Sequence, residues 1–164
     1  MNIDLLVVGK TDSAEIQSLV ATYLKRLNFY TRVTLVTLPD LKNTRNISAE
    51  SQKRQEGELL MRQFADGDYV VLLDEKGAEM RSVEFSMWLQ KRMNSGVRRL
   101  CFVIGGPYGF SKTVYDRADE SISLSRMTFS HQIIRAIFAV IITVIMEQLY
   151  RAFTIIRNEP YHHE

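Results

Sequence analysis

The chain is predicted to fold as an α/β domain on a mostly parallel sheet, and three features point there. Short apolar runs start at Ile3, Val33, Tyr69 and Cys101, and each empties into a glycine, proline or acidic turn, as buried strands do. Between them lie segments with helical spacing, long enough to carry the crossovers that parallel neighbours need. The 164 residues also show no internal repeat, low-complexity stretch or linker, so one domain over 1–164 with a core of its own is expected.

The elements follow in order. Residues 3–8 form a first strand closed by Gly9-Lys10. Asp12 and Glu15 stand in capping-box spacing, and Ile16, Leu19, Val20, Tyr23, Leu24 and Leu27 then recur at helical intervals, the clearest amphipathic helix in the chain. Residues 33–38 are a β-branched strand ended by Pro39-Asp40, with a polar, basic loop over 41–46. Ser48 opens a second helix to about Phe64 despite Gly57 inside it, and residues 69–73 form a third strand ending at Asp74-Glu75-Lys76-Gly77. Ser82 caps a third helix whose Phe85, Trp88, Leu89 and Met93 share a face, and Asn94-Ser95-Gly96 closes it before a fourth strand.

Residues 101–131 are the organising stretch. The fourth strand breaks into Gly105-Gly106-Pro107-Tyr108-Gly109-Phe110, Ser111 caps a short helix, and 122–125 reads as a fifth strand followed by a loop over 126–129. Two strand-end loops so close together mark where open α/β sheets bind ligands. Beyond them, eleven apolar residues, 136–146, run between Arg135 and Glu147. A bilayer-spanning helix needs about 20 such residues, so this is a core or subunit-interface element and no membrane association is expected.

Composition excludes more than it selects. A formal charge of +2 permits RNA contact without demanding it. Cys101, alone and in an apolar run, cannot form an internal disulfide and reads as a small core hydrophobe. The first residues lack a signal peptide's basic region, so the expected compartment is a reducing cytoplasm. The glycines at 105, 106 and 109 do not make a dinucleotide fingerprint, no Walker motif occurs, and His131, His162 and His163 have no clustered partners for a metal. The tail from Arg157 to Glu164 combines arginine, tyrosine and histidine, groups that hold phosphate, stack on bases and move protons near neutral pH.

Five fragments in order, LLDEKG at 72–77, FVIGGPYGF at 102–110, LSRMTFSHQIIR at 124–135, EQLYRAF at 147–153 and NEPYHHE at 158–164, resemble the RlmH family of SPOUT methyltransferases over essentially the whole chain. The resemblance implies a SPOUT fold with a C-terminal trefoil knot, a cytoplasmic homodimer, and S-adenosylmethionine as methyl donor with no metal. It further implies methylation of N3 of a pseudouridine in large-subunit (23S) ribosomal RNA within the ribosome. Carried over by motif, Leu73, Gly105, Leu124, Ser125, Arg126, Met127, Thr128 and Phe129 line the donor site. His131, Glu147, Arg151, Tyr161 and His162 bind substrate or act in catalysis, with His131 and His162 the candidate proton acceptors.

Two departures stand out. His163 follows Tyr161-His162 where the family commonly has arginine, replacing a permanent charge with a titratable one. Glu147 lies twelve positions after Arg135, where the family usually places about five, so the apolar stretch carries roughly seven extra residues. In an ideal helix these add about 10.5 Å but turn the face by only about 20°. Either the apolar face keeps its phase and the tail starts two turns further on, or the β-branched VIITVI absorbs the change in a local bulge or shifted helix boundary. A non-catalytic ribosome-binding or assembly protein of the same fold is the rival reading.

Overall fold

A computed structural model of the chain describes residues 1–9, 13–41, 47–125 and 131–160, the side chains of 131–139 excepted. Five strands, β1 (Asn2–Val8), β2 (Val33–Leu38), β3 (Tyr69–Glu79), β4 (Arg99–Ile104) and β5 (Glu120–Ser123), form one sheet in the order β2-β1-β4-β3-β5. Every pairing is parallel, with Ile3 opposite Val33, Asn2 opposite Arg99 and Tyr69 opposite Leu100. The helices are α1 (Ala14–Leu27), α2 (Ala49–Met61), α3 (Ser82–Asn94), α4 (Lys112–Arg117) and α5 (His131–Ile156).

Both faces of the sheet are covered, which is why its strands read as continuous apolar runs rather than alternating ones. Ile3, Leu5, Val71, Leu100 and Phe102 point to one side, where α1, α3 and α5 pack. Leu6, Val70, Leu72, Cys101 and Val103 point to the other, against Leu60 of α2 and Val114 of α4. Buried Ile142, Ile145, Met146, Leu149, Ala152 and Phe153 recur along one stripe of α5, between α1 and α3. Val140 and Val144, in the same apolar run, stay 49% and 39% exposed. Among the described residues no helix is long and apolar enough to cross a membrane.

Several boundaries differ from the sequence reading. Ser13 caps α1, its hydroxyl accepting from the Ile16 N–H, while Asp12 lies outside the described residues. Ser48 caps α2 as expected, but the helix stops at Met61, and Gly57 is tolerated because a Cβ there would lie 2.3 Å from the Ser111 Oγ. Arg81 rather than Ser82 precedes the first turn of α3, its N–H donating to the Glu84 carboxylate, and Met93 is 37% exposed where the last turn runs past the packed layer.

Strand β3 continues six residues beyond Leu73: it leaves β5 after Leu73, bows out over 74–77, and rejoins at Ala78 opposite the same Ile122. A Cβ on Gly77 would sit 2.6 Å from the Ile122 backbone, so only glycine permits the return. Strand β5 ends at Ser123, two residues early, which frees Leu124 and Ser125 from the sheet.

The end of α5 is tightly specified. Asn158 takes a left-handed φ of 55°, and the Glu159 N–H donates back to the Thr154 carbonyl at 2.9 Å, a Schellman-type stop. The Tyr30 hydroxyl donates to the Glu159 carboxylate, its ring stacks on Phe153 at 5.4 Å, and the Arg157 guanidinium lies 4.7 Å over the same ring. Tyr30 sits between α1 and the start of β2, so α5 ends at the amino edge of the sheet.

Candidate functional site

Parallel strands deliver their carboxyl ends to one edge, and here Leu73 is paired with both Ile104 and Ile122. The segments that leave this edge, 74–77, 105–110 and 124–125, surround a cleft of about 750 Å³ whose far wall is Val140, Ile141 and Val144 of α5. Leu73 and Ile104 supply its apolar floor, and Gly105 and Gly106 present backbone without side chains.

The glycine loop is locally well determined. Gly106 and Gly109 close a turn with Pro107 at its second position, the Gly109 N–H donating to the Gly106 carbonyl at 3.1 Å. Gly109 has φ +78°, which a residue bearing a Cβ adopts only with strain. Beneath the loop lies Phe110, whose ring would be 2.9 Å from a Cβ on Gly105.

A second clamp fixes the 74–77 segment. The Tyr115 hydroxyl donates to Asp74 Oδ2 at 2.5 Å, and Asp74 Oδ1 accepts from the Lys76 N–H at 2.8 Å. Burial, reinforced by the hydrogen bond to Asp74, pushes the Tyr115 phenol well above its ordinary range, so it stays a neutral donor at physiological pH. The cleft thus combines an apolar floor and wall, bare backbone at one rim, and the side chains of Asp74 and Glu75 at another. Such a site suits a small ligand with an apolar part, a polar edge that can meet backbone, and a positive charge.

Leu73, Gly105, Leu124 and Ser125 are brought together here as expected from the sequence. Arg126, Met127, Thr128 and Phe129 lie outside the described residues, as do Tyr161, His162 and His163 and the side chain of His131. Glu147 and Arg151 pair with each other, Arg151 Nη2 and Nε lying 2.7 and 3.0 Å from Glu147 Oε1, and neither lines the cleft. His131 opens α5 sixteen residues before Glu147, about 24 Å along the axis. One helix therefore cannot bring these two predicted groups to a single reacting atom.

Sequence reasoning missed Tyr115, Asp74 and the α5 wall. Tyr115 carries no motif signal, and Val140 and Val144 look like core in a run whose periodicity does not distinguish a packed face from a cavity wall. Cys101 is fully buried and its thiol is pushed up to about 12 by burial, which fits a packing role. Among the described residues, no three histidine, cysteine or acidic side chains are grouped to hold a metal ion.

Residues 1–162 match the family model described as "Predicted SPOUT methyltransferase". Over 164 residues, 100% of both chains, the sequence is 53% identical to Ribosomal RNA large subunit methyltransferase H of Flavobacterium johnsoniae. It is 53% identical to the protein of that name from Christiangramia forsetii, covering 99% of each, and 51% identical to that of Parabacteroides distasonis over the full length of both. A probable methylase family protein from Haemophilus influenzae Rd KW20 superposes with a TM-score of 0.50 at 11% identity. That match covers 96% of this chain and 66% of the other, and it speaks to fold alone.

Proposed function

The chain belongs to the SPOUT methyltransferase family, and from that premise we propose that it methylates N3 of a pseudouridine in 23S ribosomal RNA, on the ribosome, using S-adenosylmethionine. The observation that carries this reading is the cleft at the carboxyl edge of β3, β4 and β5, where Leu73, Gly105, Leu124 and Ser125 converge. The residues present fit the donor. Leu73, Ile104, Ile141 and Val144 would enclose its base, the 105–106 backbone would meet its polar edge, and Asp74 and Glu75 favour its positive charge. When bound, S-adenosylmethionine supplies a methyl group made electrophilic by the sulfonium.

The chain's own task is alignment and proton removal. Holding the acceptor nitrogen in line with the methyl group accounts for much of the acceleration in a displacement of this kind. The N3 proton must leave, and His131 and His162 are candidates either to accept it or to position the base. With α5 ending at the amino edge, Ile156 lies about 18 Å beyond Val144 along the helix, so α5 runs away from its own protomer's cleft. A homodimer of 1–164 domains, in which Tyr161 and His162 reach the partner's cleft, is the arrangement this geometry favours. No step requires a metal.

The second reading, a ribosome-binding protein without turnover, draws on the distance of about 24 Å between His131 and Glu147. Calorimetry with S-adenosylmethionine, followed by transfer of labelled methyl to intact ribosomes, separates the two. Binding with transfer supports the enzyme, binding without transfer supports the rival, and absence of binding overturns the assignment of the cleft.

A further inference from the structure

Behind the glycine loop, on the side away from the cleft, α2 buries a carboxyl group. Glu56 is 4% exposed. A Cβ built on Gly106 would meet its Oε2 at 2.2 Å, its Cδ at 2.6 Å and its Oε1 at 2.7 Å, so the carboxyl occupies the space a side chain would need. At the next residue, Gly57, the roles are reversed: the Ser111 Oγ would lie 2.3 Å from a Cβ there, so the loop's side chain fills the space beside the helix glycine. Two consecutive residues of α2 therefore meet the two ends of one loop, Glu56 at Gly106 and Gly57 at Ser111. Both Gly105 and Gly106 line the cleft on the other side.

We propose that Glu56 is a positioning residue for the donor-binding loop, pressing on Gly106 from behind so that the backbone of 105 and 106 faces the cleft in its binding form. The inference rests on the reading of the cleft as the donor site. Packing alone does not call for a carboxyl at this place, since an apolar side chain of equal volume fills such a space at lower cost. Gln52 Nε2 donates to Oε1 at 2.8 Å, while Oε2 has no hydrogen-bond partner among the described residues. Burial raises the Glu56 pKa, the Gln52 bond opposes that, and Asp40 adds to it, so the neutral acid is favoured over what an exposed glutamate would show. A side chain of fixed length that ends against bare backbone is what such a brace requires.

The test uses the full chain, S-adenosylmethionine and ribosomes. Glu56→Ala should weaken donor binding and raise the donor KM by about tenfold while kcat at saturating donor stays within about threefold. Glu56→Gln, which keeps the length and the neutral planar head while an amide NH2 replaces a carboxyl oxygen, should bind like the wild type. Gly106→Ala should bind poorly, and the double variant Glu56→Ala/Gly106→Ala should regain affinity, because the shortened side chain vacates the position of the new methyl. Amide exchange over 105–111 should quicken in Glu56→Ala without donor present, and Glu56→Asp serves where alanine does not fold. Wild-type affinity and exchange in folded Glu56→Ala or Glu56→Asp would overturn the proposal, as would a double variant no better than Gly106→Ala. If the wild type binds no donor, the reading of the cleft fails, and the exchange rates still decide whether Glu56 braces the loop.

Discussion

Tyr30 and Glu159, 129 residues apart in the chain, are joined by a hydrogen bond from phenol to carboxylate that pins the end of α5 to the turn after α1. One turn and more upstream, Phe153, Leu149, Met146 and Ile145 are buried, and full burial of such side chains stabilises by about 1.5–3 kcal/mol each. The cleft end of the same helix holds Val140 and Val144 half exposed. The far half of α5 is thus the fixed half, and any change in the helix's length is absorbed beside the cleft.

Deleting 139–145 should for this reason leave Glu147, Arg151 and the tail where they are and draw the start of the helix toward them. Removing seven residues turns the face by about 20°, so Ile133, Ile134 and Ile137 replace Val140, Ile141 and Val144 in the wall. Donor affinity should change little, because apolar groups follow apolar groups. The axial distance from His131 to Glu147 falls from about 24 Å to about 13.5 Å, and methyl transfer to ribosomes should rise. Equal or lower transfer in a well-folded deletion variant would show that the longer helix is the working form.

Gly105→Val should abolish donor binding. A Cβ at this position already lies 2.9 to 3.2 Å from the Phe110 ring, and two further methyl groups must displace that ring or turn into the cleft. Calorimetry on a variant with an unchanged circular dichroism spectrum checks this, and normal affinity would remove the glycine loop from the site.

A dimer at micromolar concentration is expected in analytical ultracentrifugation, and its function can be probed by complementation. Heterodimers of a Gly105→Val protomer with one truncated after Pro160 should transfer methyl groups, since one intact cleft then faces one intact tail. Neither homodimer should do so. Inactive heterodimers of confirmed composition would mean that cleft and tail of the same protomer cooperate.

Acid should expose a separate dependence at the sheet edge. Burial pushes the Glu120 carboxyl up, but bonds from Tyr69, Trp88 and Arg92 outweigh it, and the net shift is downward from 4.5. A carboxyl lowered in the folded state contributes stability above its unfolded pKa and loses it as pH falls through the folded value. The gap in melting temperature between wild type and Glu120→Gln should accordingly be widest near neutrality and close as the pH drops below about 4. Trp88 is the one tryptophan and donates to Glu120, so its fluorescence should follow the same transition. A gap independent of pH would show that the cluster acts through packing.

The strands were readable because a sheet buried on both faces leaves apolar runs four or more residues long, and parallel order follows from the helices between them. The bulge of β3 was not, since Asp74-Glu75-Lys76-Gly77 carries turn chemistry whether the chain leaves the sheet or returns to it. Leu73 and Gly105 were legible through their motifs. Glu56 was hidden in a polar helix that reads as a solvated face, and only the approach of the 105–111 loop makes it interior. Met93 failed the other way, an apolar residue in register with the core but placed past its edge.

Cys101 lies on β4, the middle strand of the five, fully shielded and with its thiol held out of the reactive thiolate form. As the single cysteine it makes the molecule its own stopwatch. A thiol reagent has one target, and that target becomes available only when the centre of the sheet parts, so the labelling rate reads the opening of the whole fold rather than the fraying of a loop.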